Sequence, residues 1–154
     1  MTRLWLFLHL LGFVLWMGGA FASMVAAIAS RREERSALGA VVRAQGALHR
    51  ILIGPGALLT VLTGLMLTFR VQANSIAGAN VWLILMQGAG VVGALLALFI
   101  SVPTAAKLTR LDPVGQTAAY FDELRQRQRI IGSIAGTLGL AALLGGAMTR
   151  FAWG

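Results

Sequence analysis

The chain contains no cysteine among its 154 residues. This absence excludes disulfide bonds, iron–sulfur clusters and haem ligated by a thiolate. Charged residues are also scarce, at 12% of the chain. Because the long apolar stretches hold no carboxylate or lysine, a paired-carboxylate or serine–histidine–aspartate site cannot be assembled within them. Hydrophobic residues, in contrast, make up 58% of the chain, which is too many for an ordinary soluble domain of this length.

Four long apolar stretches account for this composition. Each is close to or above the roughly 20 residues that a helix needs to cross about 30 Å of hydrocarbon. The strands of a membrane barrel would be about half as long and would alternate in polarity. We therefore predict an all-α fold, a transmembrane four-helix bundle that forms a single domain over residues 1–154. The predicted helices cover residues 4–29, 50–70, 81–106 and 129–151.

Basic residues are distributed unevenly between the two sides of this bundle. Most of them lie between the first two helices or between the last two, whereas the other side carries only Arg3, Arg70 and Arg150. The remaining connection on that side, residues 71–80, is short and uncharged. Since basic loops stay in the cytoplasm, we predict a multi-pass membrane protein with both termini outside. The net charge of +8 then reflects topology and attraction to anionic lipid rather than nucleic-acid binding.

The second basic loop contains its own helical signal. Asp112-Pro113 interrupts any helix, and a helical pattern resumes afterwards. Tyr120, Phe121 and Leu124 share one face of that pattern, opposite charged residues. This arrangement predicts a short cytoplasmic interfacial helix that leads into the fourth span.

Two residues interrupt the apolar character of the first predicted helix. His9 lies about 8 Å inside the outer boundary, and Trp16 lies two turns deeper on the same face. Small residues such as Gly12 would leave room beside His9 for a flat macrocycle, with Trp16 against its edge. A histidine at this depth can equally form a hydrogen bond to a facing helix. The spacing leaves both interpretations open.

Three methionines lie at about the depth of His9, one on each of the other helices: Met66, Met86 and Met148. Imidazole binds haem iron, and thioethers bind iron or Cu(I). We therefore predict a ligand layer in the outer half of the bundle, although methionine in an apolar span is often only a packing residue. The second histidine, His49, is interpreted as a residue at headgroup level rather than a ligand.

The surroundings of His9 resemble a known family. The letters "LH", followed seven residues later by "WMGG", occur together with Pro55 and Gly64 in the second span and Trp82 at the start of the third. This combination resembles the HemJ-type protoporphyrinogen oxidases and, more loosely, the CopD-like membrane proteins of bacteria. The resemblance covers roughly residues 5–90. It implies a four-helix protein of the bacterial inner membrane that binds haem b, with His9 in the position of the family's haem histidine.

The chain departs from the HemJ pattern at two positions. The family has a lysine four residues after the third-span tryptophan, where this chain has Met86, and its second histidine would fall near Ser30. We therefore predict a haem-binding relative with a redox or electron-transfer role and assign no catalytic residue. Met86 replaces a functional position and matches the depth of His9, so it is the predicted second ligand. A CopD-like protein would use the same layer for copper.

A different class of protein also fits the sequence. Short loops, uncharged spans and many small residues are typical of helices that pack against other helices in lipid. We therefore keep, as an alternative, a non-enzymatic accessory subunit of a larger respiratory or photosynthetic complex, or a homo-oligomer in the bilayer. Such a protein would have no pocket around His9, whose side chain would be packed or bonded to a neighbouring helix.

Overall fold

The computed structural model describes residues 2–72 and 81–149. Most of the predicted outer loop and the predicted end of the fourth helix, at residues 150–151, lie outside the described residues. The described part is helical and contains no strand. Four stretches are long and apolar enough to cross a membrane, namely Thr2–Arg32, Arg35–Arg70, Val81–Leu108 and Ala118–Thr149. For the described residues, the predictions of an all-α fold and of four such helices are therefore confirmed.

These stretches are built from six α-helices and several tighter or wider turns. Two π-helical turns, His49–Ile53 and Ala97–Ser101, interrupt the second and third stretches. Short 3-10 turns end the first stretch, at Ser30–Arg32, and begin the second, at Arg35–Ala37. The α-helices are α1 (Thr2–Ala29), α2 (Leu38–Leu48), α3 (Gly54–Gln72), α4 (Val81–Leu96), α5 (Val102–Leu108) and α6 (Ala118–Thr149).

Each π-helical turn lies immediately before a proline. The first ends two residues before Pro55 and the second ends two residues before Pro103. Proline has no N–H to donate, and its ring clashes with the carbonyl four residues earlier, so a regular helix cannot continue through it. The helix widens to a π-helical turn before Pro55, in which the amide of Gly54 donates to the carbonyl of His49, five residues back. The prolines thus change which side chains face inward at these turns.

The long helices pack as two pairs, α1 with α3 and α4 with α6. Glycine allows the first pair to approach closely: a Cβ atom at Gly56 would lie 2.5 Å from the backbone nitrogen of Trp16, and one at Gly12 would lie 2.8 Å from that of Thr60. In the second pair, a Cβ atom at Gly145 would lie 2.9 Å from the backbone nitrogen of Met86. Close backbone contact of this kind stabilises helix pairs in lipid. The hydrophobic effect does not drive their association there, because the lipid tails are as apolar as the side chains.

Trp16 lies where the two pairs meet. Its side chain is 1% exposed, and its ring meets the ring of Phe13 edge-on, with centroids 6.2 Å apart. A Cβ atom at Gly93 of α4 would lie 3.2 Å from Cη2 of the indole, so the ring reaches the second pair. The cluster around it comprises Trp16, Ile53, Ala57, Ala94 and Ala97.

The end of the bundle that carries the basic loops, here called the basic end (residues 30–50 and 101–129), has a second hydrophobic core. Arg35 joins the segments around this core. Its guanidinium lies 2.6 Å from the Asp122 carboxylate and donates from Nε to the Pro113 carbonyl. The core itself comprises Leu38, Val42, Leu108, Phe121 and Leu124.

The predicted short interfacial helix takes a different form. α6 begins at Ala118 and continues without a break to Thr149, so the segment is the first part of one long helix. Phe121 is fully buried in the core of the basic end, whereas Tyr120 is 47% exposed. The two aromatic residues therefore lie on different faces, and the location of this segment at a membrane interface stays a prediction.

Candidate functional site

His9 is held against α3 through its Nδ1 atom. This nitrogen lies 2.8 Å from the backbone oxygen of Thr60 and 3.4 Å from Oγ1 of Thr63. The ring packs over Gly64, where a Cβ atom would lie 2.9 Å from the imidazole Cε1. A carbonyl only accepts, so Nδ1 must carry the hydrogen, and the neutral ring then presents a lone pair at Nε2. Within the described residues, no hydrogen bond reaches that Nε2 atom.

The two predicted neighbours of His9 on α1 are packing residues. Gly12 faces the backbone of Thr60 and Gly56, so α3 occupies the space beside it. Trp16 lies in the buried cluster between the helix pairs. Both residues therefore hold α1 in place, and the room expected at Gly12 is filled by protein.

The three predicted methionines have different surroundings. Met86 packs against α6, since a Cβ atom at Gly146 would lie 3.1 Å from its sulfur. Met66 is 46% exposed, and Met148 is partly buried near the end of α6. The structure therefore places Met86 against α6 and His9 against α3. In the part of the chain that is described, no group of three or more histidine, aspartate or glutamate side chains is arranged to hold a metal ion.

The more enclosed polar site lies at the basic end, around His49. This side chain is only 5% exposed. Its Nδ1 atom lies 2.8 Å from the carbonyl oxygen of Gln45, while its Nε2 atom lies 3.1 Å from Oγ of Ser101 and 2.7 Å from Nε2 of Gln128. His49, Ser101 and Gln128, here called the polar cluster, thus join both π-helical turns to α6.

The hydrogen bonds of the polar cluster fix the donors and acceptors. Because the Gln45 carbonyl only accepts, Nδ1 of His49 carries the hydrogen and Nε2 accepts. The Gln128 amide nitrogen must therefore face His49, and it also donates to Ser101 at 2.6 Å. This orientation leaves the Gln128 Oε1 atom buried, with no hydrogen-bond partner among the described residues.

A cavity of about 270 Å³ adjoins the polar cluster between α1 and α6. Its walls are mainly apolar. They include Trp16, Met17, Phe21, Met24 and Leu140. Besides the polar cluster, its polar lining includes Gln45, Arg125 and Arg129.

The structure buries the His49 side chain inside the protein, and the location of this residue at headgroup level stays a prediction. Its neighbours in sequence, Arg43 and Arg50, are exposed on another face. Val42, seven residues before His49, is buried at 3% exposure. Residues seven apart share a helix face. The spacing of His49 from Val42 therefore indicates that His49 is buried, whereas its closeness to arginines in the sequence does not.

Comparison of the chain with protein-family models, with curated proteins and with solved structures finds no match. The resemblance to HemJ-type and CopD-like proteins therefore stays a prediction from the motif around His9.

Proposed function

We propose that this chain is an integral membrane protein that binds haem b through His9 and takes part in electron transfer. The observation that carries the proposal is the 2.8 Å contact between His9 Nδ1 and the Thr60 carbonyl. A histidine that ligates a metal almost always donates its other ring N–H to a carbonyl or carboxylate, which fixes the tautomer and the ring orientation. His9 has this arrangement, with the Nε2 lone pair left for iron.

The rest of the proposal concerns the placement of the site. The distribution of basic residues supports an orientation with both termini outside, so that His9 lies in the outer half of the bundle. The resemblance to membrane proteins of bacteria supports a location in the bacterial inner membrane. The haem would lie beside the partly exposed ring of His9, because α3 fills the space next to Gly12. Met86 is the proposed second ligand, and a thioether in that position would raise the reduction potential.

The test is an absorption spectrum of the full chain, purified in mild detergent and supplemented with haem. We expect a Soret band that His9→Ala abolishes. His49→Ala is the matched control, because His49 has partners at both ring nitrogens and should not be needed for haem. No Soret band in the unchanged protein would overturn the proposal, and so would loss of the band in His49→Ala alone when circular dichroism shows that this variant is folded.

A second candidate function is that of an accessory subunit, and one observation favours it. Gly132 and Gly136 form a small-residue face on α6 that borders the cavity between α1 and α6, and a Cβ atom at either position would meet nothing within 4 Å. Such a face is typical of contact with a further helix. Crosslinking in native membranes tests this candidate: Gly136→Leu should abolish a specific crosslinked partner if the face is an interface. Gly18→Leu on α1, where the space is also open, is the control.

A further inference from the structure

The polar cluster at the basic end forms one end of a cavity that the haem proposal does not use. Among the described residues, its hydrogen bonds leave one buried atom without a partner, Oε1 of Gln128. Rotating the amide would not remove the problem, because His49 Nε2 would then face an oxygen instead of a donor. A buried acceptor without a donor is unfavourable. Gln128 lines the cavity, so a turn of its side chain would bring this oxygen to a ligand whose hydroxyl group donates to it.

The walls of the cavity favour a flat ring over a charged group. Trp16 contributes an indole, and Met17 and Met24 contribute thioethers, which make favourable contacts with aromatic rings. The volume of about 270 Å³ is near the lower limit for small-molecule sites. It accommodates one ring and is too small for the two acyl chains of a phospholipid.

The cavity faces the surroundings along the line where α1 and α6 meet, here called the α1–α6 seam. Residues on both sides of the seam are exposed: Phe21 is 44% exposed, Met24 is 51% exposed and Leu140 is 47% exposed. Because both helices are long and apolar enough to span a membrane, these side chains would face lipid. A ligand would then arrive from the bilayer, and an apolar tail would remain there.

We propose that this cavity binds the ring of a membrane-soluble quinol. A ring hydroxyl donates to Oε1 of Gln128, the ring lies beside Trp16 and Met17, and the isoprenoid chain leaves through the α1–α6 seam. The site is separate from His9 and does not depend on haem. A quinol matches it because the molecule combines a hydroxyl donor, a flat ring and solubility in lipid.

The direct test is binding of decylubiquinol to the full chain in detergent, measured by quenching of tryptophan fluorescence under reducing conditions. We expect one saturable site and a loss of affinity of about tenfold or more in Gln128→Leu, the order expected for one lost hydrogen bond to a buried group. Gln126→Leu is the matched control, since Gln126 is exposed on the same helix and lies outside the cavity lining. Equal binding by Gln128→Leu and Gln126→Leu would overturn the proposal.

A second variant covers the case in which Gln128→Leu does not fold. Gly136 lines the cavity and has open space around it, so Gly136→Leu should fill the site without touching the polar cluster. We expect this variant to lose decylubiquinol binding. Unchanged binding in Gly136→Leu would place the ligand elsewhere and contradict the proposal.

Two competitors separate a quinol site from a crevice for acyl chains. Oxidised decylubiquinone lacks the hydroxyl donor, so we expect it to bind at least about tenfold more weakly than the quinol. Palmitate should not displace the quinol, and displacement at equal concentration would identify an acyl-chain crevice and overturn the proposal. His9→Ala should bind decylubiquinol normally, so failure of the haem proposal and failure of this one give different results.

Discussion

The two histidines of this chain occupy opposite ends of the same bundle and differ in how many partners they have. His9 is partly exposed and is held at Nδ1 by α3, with no hydrogen bond to Nε2 in the described residues. His49 is buried and has partners at both ring nitrogens. A histidine with one nitrogen engaged is prepared to bind something else, whereas a fully engaged histidine organises its neighbours. The difference supports the proposed ligand role of His9 and gives His49 a structural role.

The backbone produces this difference by two separate means. Near His9, α1 and α3 approach closely through glycines, which brings the imidazole to a carbonyl of a regular helix. A carbonyl has two lone pairs, so Thr60 can accept from His9 as well as from its own helix. Near His49, two prolines force π-helical turns, and these turns place His49 opposite Ser101.

The substitution with the largest predicted effect should disrupt both histidine sites at once. A Cβ atom at Gly56 would lie 2.5 Å from the backbone nitrogen of Trp16, and backbone atoms cannot rotate away as a side chain can. Gly56→Leu should therefore separate α1 from α3 and destabilise the chain by about 3 kcal/mol or more. Thermal unfolding in detergent measures the effect. Gly18→Leu, where the added side chain meets open space, should change stability by less than about 0.5 kcal/mol.

A smaller effect on stability should distinguish the two histidines when each is replaced by leucine. His49→Leu removes one hydrogen-bond partner from the Gln128 amide and from the Ser101 hydroxyl in a buried site. Among the described residues it leaves these two bonded only to each other, so it should cost about 2–3 kcal/mol. His9→Leu removes one hydrogen bond from a partly exposed ring and should cost about 1 kcal/mol. Unfolding temperatures of the two variants in one detergent provide the measurement. Equal losses would contradict the assignment of a structural role to His49 alone.

The long-range features of the fold follow from simple patterns. Apolar stretches of about 20 residues predict spanning helices because lipid offers no hydrogen bonds to the backbone. The same patterns do not locate the polar cluster, because its geometry depends on how Pro55 and Pro103 widen the two helices that carry His49 and Ser101. Sequence spacing assumes 3.6 residues per turn, and a π-helical turn changes that phase.

The candidate site at His9 shows a second limit of sequence reasoning. Depth along a helix can be estimated from residue number, since each residue adds about 1.5 Å. Rotation about the helix cannot be estimated in that way for a helix that is apolar on all sides. Thus His9, Met66 and Met86 were assigned one depth, but Met66 is 46% exposed and Met86 packs against α6.

The smallest predicted effect on stability tests the proposed second ligand. Met86→Leu preserves volume and apolarity beside Gly146, so stability should change by less than about 1.5 kcal/mol. If Met86 ligates the haem iron, the reduced spectrum should shift from low-spin towards high-spin, and the reduction potential should fall because thioether ligation raises it. Absorption spectroscopy and a redox titration of the haem-loaded protein provide these measurements.

The control for Met86→Leu is the same substitution at Met66, which is 46% exposed on α3. Met66→Leu should leave the spectrum and the reduction potential unchanged. Comparison of the two variants therefore separates loss of a ligand from any general effect of replacing a thioether in the outer half. A spectral change in Met86→Leu alone would place the iron between α1 and α4 and bring the two helix pairs together at the haem. An unchanged spectrum in both variants would remove Met86 as a ligand and leave His9 as the only protein ligand proposed here, because His9 is positioned by α3 and not by the second pair.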